Sequence, residues 1–218
     1  MTKKSLLIIV GVIVVAGFLL LTRPAEEALG TPSEHKYSEG TSGVVLTEYG
    51  DFQCPGCGAF YPTVKQVKEQ YKDTVTFQYR HLPLESNHPN ARAAARAAEA
   101  AHLQGKFWEM HDMLFENQNA WRTSSDPLGT FTGYAQQMGL DTTKFAEDYK
   151  SSAVNSIINA DIKEFEKTGA DKSTPTFFLD GKLLEDLSNS AGYFQKLIDE
   201  AITAKNPETK QETPSTDQ

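Results

Sequence analysis

The sequence has little cysteine: only two of its 218 residues are cysteines, Cys54 and Cys57. Two cysteines cannot form the dense disulfide framework of a small secreted scaffold. Basic residues are also scarce, because 21 Lys and Arg stand against 29 Asp and Glu and give a formal net charge of −8. A nucleic-acid-binding protein needs basic surface to neutralise phosphates, so we expect no nucleic-acid partner.

Charge is absent from a segment close to the N-terminus. Residues 6–21, "LLIIVGVIVVAGFLLL", contain no charged side chain and follow Lys3 and Lys4. This run is longer than the apolar region of a cleaved signal peptide, about 7–15 residues, and slightly shorter than a spanning helix of about 17–25. No A-x-A cleavage site follows it. We therefore expect a membrane anchor or signal segment over 1–22 and favour an uncleaved single-pass transmembrane helix. The lysines would be cytoplasmic and the rest of the chain would lie on the extracytoplasmic side of the cell membrane.

The pattern of apolar residues predicts an α/β fold interrupted by helices. Residues 43–52 and 74–82 are typical strands, and a helical period lies between them. Residues 174–186 predict two short strands joined at Asp180-Gly181, and a helix follows. Within the helical block, Arg92 and Arg96 are expected on a solvated face. The predicted segments are a linker 23–40, the first part of the α/β domain 41–85, a helical domain 86–168, the second part of the α/β domain 169–204 and a disordered tail 205–218.

The two cysteines form a Cys-x-x-Cys motif that has three interpretations. A metal site needs about four ligands, and the sequence has no other cysteine. Four histidines are scattered without an H-x₃₋₅-H pair, namely His81, His88, His102 and His111. We therefore expect no metal site. A structural disulfide across so short a loop would contribute only about 2 kcal/mol.

A redox dithiol is the interpretation that the sequence favours. Cys54 would lie at the N-terminal end of a helix, where backbone N–H groups and the helix dipole stabilise a thiolate. Pro55 suits the first helical position. Cys57 would lie one turn further in and could attack a mixed disulfide formed at Cys54.

Three stretches carry a resemblance to a known family: "EYGDFQCPGC", "FWEMHDMLFENQ" and "STPTFFLDG". They resemble the DsbA-like thioredoxin-fold disulfide oxidoreductases of bacteria, and among these most closely the membrane-anchored branch. The similarity extends from about residue 41 to about residue 204. The resemblance implies a thioredoxin fold with an all-helical domain inserted after the second strand, here preceded by an N-terminal transmembrane helix.

The resemblance also assigns roles to residues outside the cysteine pair. Thr174-Pro175 matches the family's cis-proline, which would expose the Thr174 backbone to a substrate strand; otherwise Pro175 would merely begin an edge strand. Glu48, six residues before Cys54, matches a buried carboxylate that exchanges a proton with Cys57. Otherwise Glu48 would face solvent. We consider Arg80 on the neighbouring strand as a partner for Glu48.

The side chains and backbone around the cysteines are expected to contact substrate. We assign Cys54, Cys57, Pro175 and Glu48 to catalysis, and Thr174, Pro55, Gly56 and Phe52 to substrate binding. No cofactor is expected beyond the Cys54–Cys57 disulfide itself.

The leading hypothesis is a thiol:disulfide oxidoreductase that oxidises cysteine pairs in exported proteins. The resemblance implies a membrane quinone-linked thiol oxidase as the partner that reoxidises it, and we expect a monomer. Two departures favour a reductase or isomerase as the alternative: Pro55-Gly56 stands where family oxidases often have Pro-His, and Thr174 stands where they commonly have valine. A binding module or chaperone without redox activity is a third hypothesis.

Overall fold

The computed structural model describes residues 30–206. The predicted membrane anchor over 1–22 and the part of the predicted tail from 207 onward lie outside these residues. Within residues 30–206, no helix has both the length and the apolar character that crossing a membrane requires.

The described part of the chain contains five strands and eight helices. The strands are β1 (His35–Lys36), β2 (Val44–Gly50), β3 (Val75–His81), β4 (Thr176–Leu179) and β5 (Lys182–Leu183). The helices are α1 (Pro55–Tyr71), α2 (Ala91–His102), α3 (Phe107–Glu116), α4 (Gln118–Trp121), α5 (Pro127–Gln137), α6 (Thr142–Lys150), α7 (Ser152–Lys167) and α8 (Ala191–Lys205).

The strands form one mixed sheet in the order β1-β3-β2-β4-β5. The central strands β2 and β3 are parallel, because α1 crosses over between them, and the other pairs are antiparallel. The predicted hairpin at Asp180-Gly181 is confirmed, with φ values of 51° and 79° that suit a tight turn. The sheet therefore directs the C-terminal end of β2 toward the start of α1.

Two apolar layers cover the two faces of the sheet. On one face, α1 and α8 pack against β2 and β4 through Val67, Phe194 and Ile198, which are buried with Phe177. On the other face, Phe165 of α7 packs against Tyr49 and Phe178. Among the helices between β3 and β4, the alanine-rich α2 is enclosed by the others, because its small side chains allow close approach on several sides. The α/β architecture with an all-helical insertion is confirmed.

The prediction of a linker over 23–40 is wrong for His35 and Lys36. These residues form β1, which pairs antiparallel with Tyr79 and Gln78 of β3. The sequence does not reveal this strand because it is two residues long and polar. The tail predicted from residue 205 also begins too early, since α8 includes Lys205.

The expected solvated face of α2 is wrong as well. Arg92 donates hydrogen bonds from Nη1 to the Oδ1 atoms of Asn155 and Asn159, each at 2.9 Å. Arg96 donates from Nη2 to Asn155 at 3.0 Å. Both arginines therefore connect α2 to α7, because amide oxygens on α7 provide acceptors that a helical period in α2 cannot reveal.

One buried carboxylate attaches the N-terminal segment to the rest of the domain. Asp161 of α7 is fully buried and accepts hydrogen bonds from the backbone N–H of Ser33 at 2.7 Å, its hydroxyl at 2.6 Å and the N–H of His81 at 2.9 Å. The Arg80 guanidinium lies 3.6 Å away.

Replacing Asp161 should therefore strongly destabilise the fold. We expect Asp161→Ala to lower the free energy of unfolding by about 3–5 kcal/mol, because it leaves buried donors and a guanidinium without their acceptor. Ser33→Ala, which removes one hydroxyl, should cost only about 0.5–1.5 kcal/mol. Urea denaturation of both variants tests this, and equal losses in the two would contradict the anchoring role of Asp161.

Candidate active site

The cysteine pair lies where β2 leads into α1. Cys54 is the N-cap residue of α1, and Pro55 occupies the first helical turn, where its missing N–H leaves no hydrogen bond unmade. Cys57 follows one turn later. Both are free thiols, but their exposure differs: Cys54 retains 8% of its surface and Cys57 none. Only the first sulfur can therefore meet another protein.

Side chains from the helical domain hold in place the segment of chain that leads into α1. Gln118 of α4 donates hydrogen bonds from Nε2 to the carbonyl oxygens of Phe52 and Cys54 at 2.8 and 2.9 Å. Asp51 accepts from the backbone N–H of Gln53 at 2.8 Å and faces His88 Nδ1 at 2.7 Å. These contacts fix the backbone before Cys54 by interactions that reach across the domain.

The surroundings of Cys54 stabilise its thiolate. The pKa of Cys54 is lowered to about 5, chiefly by the hydrogen bond from the Cys57 thiol. Burial opposes this shift. The backbone N–H groups of Cys57 and Gly56 support it. The thiolate is the species that exchanges with disulfides, so this sulfur is ionised at neutral pH.

Cys57 has the opposite character. Burial raises the pKa of Cys57 well above its ordinary value, and the hydrogen bond to Cys54 and the charge of Glu48 raise it further. The backbone N–H of Asp51 lies 3.5 Å from its sulfur and partly offsets this. The second sulfur is therefore held as a neutral thiol beneath the first.

The loop before β4 faces the cysteines. The Thr174–Pro175 peptide bond is cis, as predicted. The carbonyl oxygen of Thr174 lies 3.3 Å from Cys54 Sγ. A Cβ at Gly56 would lie 3.4 Å from that oxygen, from Cys54 Sγ and from Pro175 Cδ. Glycine therefore leaves the space between the helix start and this loop open to an incoming chain.

A carboxyl group lies in the core below the cysteines. Glu48 of β2 is only 9% exposed, and burial raises its pKa to about 8, which the Lys68 ammonium partly opposes. Both side chains line a cavity of about 20 Å³ with Tyr79, Trp108 and His111, a volume that holds about one water molecule. The group can therefore carry a proton near neutral pH.

Arg80, considered as the partner of Glu48, points elsewhere. Glu48 pairs in register with Tyr79, whereas Tyr49 pairs with Arg80. Successive strand residues face opposite sides of a sheet, so Arg80 lies on the Asp161 side. Lys68 from α1 provides the nearby positive charge instead, with its Nζ 3.9 Å from the Tyr37 ring centroid and 4.3 Å from that of Trp108.

Comparison with known proteins places this geometry in a family. The thioredoxin family profile matches residues 31–200. The chain belongs to the thioredoxin family. Its fold is that of DsbA-like proteins: it resembles BdbD from Bacillus subtilis with a TM-score of 0.69 at 20% identity, covering 80% of this chain and 97% of that one. It also resembles alpha-DsbA1 from Wolbachia pipientis, with a TM-score of 0.67 at 19% identity over 85% of this chain and 98% of that one.

Curated relatives by sequence carry a different name. The chain is 40% identical over 143 residues to the Na(+)/H(+) antiporter NhaA 1 of Salinispora arenicola, a match that covers 64% of this chain and 20% of the relative. A match to the protein of that name in Mycolicibacterium vanbaalenii is 37% identical over 165 residues, 75% of this chain and 25% of the relative. The chain thus spans about a fifth to a quarter of the length of these relatives.

The structure corrects the role expected for Phe52. Within this thioredoxin-family fold its side chain is only 1% exposed and stacks on Tyr79 with ring centroids 5.0 Å apart. Phe115 lies at the same distance on another side. Phe52 is therefore part of the core beneath the cysteines and offers substrate no side-chain surface. Pro55 is exposed and Gly56 half-buried.

Sequence reasoning missed several residues that shape the site. Asp51, Gln118 and Lys68 act through contacts that join distant elements, and no local spacing signals them. It also missed His35, His81 and Glu99, which converge in the core as a group that could hold a metal ion. The expectation of no metal site considered His81 but not its neighbours, which lie far apart along the chain.

The pKa of Cys54 can be tested by changing the donor that lowers it. Cys57→Ala removes the hydrogen bond, and we expect the pKa of Cys54 to rise from about 5 toward its ordinary value of about 9. Cys57→Ser keeps a hydroxyl donor and should retain most of the lowering. Ultraviolet absorbance of the thiolate against pH gives both values, and identical pKa values in the two variants would contradict this account.

Proposed function

We propose that this protein is an extracytoplasmic thiol:disulfide oxidoreductase that oxidises cysteine pairs in exported proteins. One observation carries the proposal: the pKa values of the two cysteines are shifted in opposite directions. Cys54 is accessible and its pKa is lowered to about 5, whereas Cys57 is buried and its pKa is raised. This asymmetry defines one attacked sulfur and one leaving sulfur. The fold shared with DsbA-like proteins supports the same chemistry.

The reaction begins with the cysteine pair as a disulfide. A substrate thiolate attacks Cys54 Sγ, the Cys54–Cys57 bond breaks, and Cys57 leaves with the electron pair. A buried thiolate is unfavourable because it is desolvated. Glu48, whose raised pKa of about 8 leaves it protonated at neutral pH, supplies the proton to Cys57.

The second step releases the product. Another substrate thiolate attacks the substrate sulfur of the mixed disulfide, a new substrate disulfide forms, and Cys54 leaves as a thiolate. Its low pKa makes it a good leaving group. The enzyme has gained two electrons. A membrane quinone-linked thiol oxidase would accept them and restore the Cys54–Cys57 disulfide.

Substrate would bind beside the cis-proline loop. The Thr174 backbone borders Cys54 and could pair with an extended substrate segment, while Pro55 and Gly56 form the adjoining surface of α1. Main-chain pairing suits an enzyme with many substrates, because it requires no particular side chain. The proposed extracytoplasmic location, anchored as a single-pass membrane protein, rests on the apolar run at residues 6–21.

An isomerase or reductase with the same site is the second candidate. Two positions favour this candidate: Gly56 stands where oxidases of the family often have histidine, and Thr174 stands where they commonly have valine. The protonated state of Glu48 at neutral pH favours oxidation, since a reductase needs a base there to remove the proton from Cys57.

Glu48 should set the pH dependence of the first step. We expect Glu48→Gln to slow mixed-disulfide formation about 10²-fold near neutral pH, because the amide cannot protonate Cys57. The difference in rate between the wild-type protein and Glu48→Gln should disappear as pH rises through about 8, where Glu48 loses its proton. Stopped-flow rates, normalised to the fraction of substrate thiolate, measure this. The exposed Glu166→Gln serves as the control, and a uniform loss across pH would contradict proton donation.

The oxidase proposal itself can be tested with single cysteine variants. Oxidised wild-type protein should restore disulfides to a reduced, unfolded model protein, while Cys54→Ser should not. Mixed with a disulfide-containing model protein, Cys57→Ala should accumulate mixed disulfides through Cys54, because the Cys54 thiolate attacks that disulfide and the Cys57 thiol that would resolve the complex is absent. Mass spectrometry identifies the joined cysteine. Wild-type activity in Cys54→Ser would reject the proposal and favour a role as a binding module.

A further inference from the structure

A cluster of two imidazoles and a carboxylate lies in the core and includes neither cysteine. His35 comes from β1, His81 from the end of β3 and Glu99 from α2, and all three are buried. The Nε2 atom of His35 lies 2.5 Å from Glu99 Oε1, and that of His81 lies 2.7 Å from the same oxygen. We propose that His35, His81 and Glu99 bind one divalent transition-metal ion, of which Zn²⁺ is the best match.

The cluster has unused ligand capacity in the core. The second carboxylate oxygen of Glu99 and Nδ1 of His81 are buried without a hydrogen-bond partner within residues 30–206. Leaving such atoms without a partner is unfavourable, and buried charges are normally paired or bound to a metal. A cation beside Glu99 would satisfy both of its oxygens.

The side-chain types suit a metal. One ligand atom from each of the three residues lies within 4.8 Å of the others, close enough to share one ion. Imidazole nitrogen and carboxylate oxygen are ligands of Zn²⁺, and they coordinate as the neutral imidazole and the ionised carboxylate.

The surroundings orient the ligands. The His35 ring stacks on Phe107 with centroids 3.6 Å apart and an interplanar angle of 13°. The His81 ring packs against Tyr79 and Phe52 with centroids 5.6 and 6.0 Å away. An apolar shell of this kind limits water access and keeps ligand side chains in place.

A fourth ligand is available at the surface. His102 follows Glu99 by three positions on α2, and such residues share a helix face. Its ring centroid lies 4.6 Å from that of His35. His102 is exposed and could complete a tetrahedral site after a rotamer change. Nitrogen and carboxylate ligands in tetrahedral geometry are typical of Zn²⁺.

The proposed ion would have a structural role. Its ligands join the N-terminal strand, the central sheet and the helical domain, which have no covalent link there. Zn²⁺ binding to the folded chain should therefore raise the melting temperature. This site is independent of the proposed redox function, because it uses neither Cys54 nor Cys57.

Zinc binding can be measured without interference from the thiols. The full chain, purified in mild detergent with its cysteines oxidised to the disulfide, is stripped with a chelator and titrated with Zn²⁺ by calorimetry. We expect one ion per chain and a melting temperature several degrees higher at saturation. Titration with Co²⁺ should give the intense visible absorption of tetrahedral coordination, without sulfur-to-metal charge transfer.

Matched variants locate the ion. His35→Gln and Glu99→Gln should each weaken Zn²⁺ binding at least about 10-fold, the range seen when a metal site loses supporting groups. His88→Gln changes another histidine beside a buried carboxylate, Asp51, and should leave Zn²⁺ binding unchanged. Absence of Zn²⁺ binding to the wild-type protein, or unchanged affinity in His35→Gln, would overturn the proposal. If Glu99→Gln fails to fold, the Co²⁺ spectrum of the wild-type protein still distinguishes a tetrahedral site from no site.

Discussion

The hydrogen bond from the Cys57 thiol to the Cys54 sulfur is the interaction on which the active site depends. It requires Cys54 at the N-cap of α1 and Cys57 one turn later, so that one sulfur is accessible and the other is enclosed. The thiolate is favoured at Cys54 because the donors point toward it, and disfavoured at Cys57 because burial removes solvent. This difference in thiolate stability decides which sulfur is attacked and which one leaves during thiol–disulfide exchange.

The buried carboxylates of this protein have two kinds of role: three hold elements together, and one can exchange protons. Asp51, Asp161 and Glu99 each accept several hydrogen bonds and hold separate elements together. Glu48 is also buried, yet within residues 30–206 no hydrogen bond holds its charged form, and only Lys68 opposes the rise in its pKa. A carboxyl group in this condition can exchange protons near neutral pH.

The sequence predicted features that depend on local spacing. The position of Cys54 at a helix start followed from Pro55 and the preceding strand, and the burial of Glu48 was implied by its place six residues before Cys54 in the family that the sequence resembles. Cross-domain contacts were not predictable in this way. The sequence did not show that Lys68 is the positive charge near Glu48. Lys68 belongs to α1, a helix packed on the sheet, and the pattern within the strands carries no information about it. Likewise, β1 and its histidine gave no periodic signal, since two residues are too few to show one.

The reduction potential of the Cys54–Cys57 pair tests the central claim most directly. Stabilising the Cys54 thiolate stabilises the reduced enzyme, and a stabilised reduced form makes the disulfide a stronger oxidant. Equilibration with glutathione buffers should give a potential clearly less negative than the value of about −270 mV typical of thioredoxin. A potential at or below that value would contradict the account, because the lowered pKa of Cys54 would then bring no gain in oxidising power.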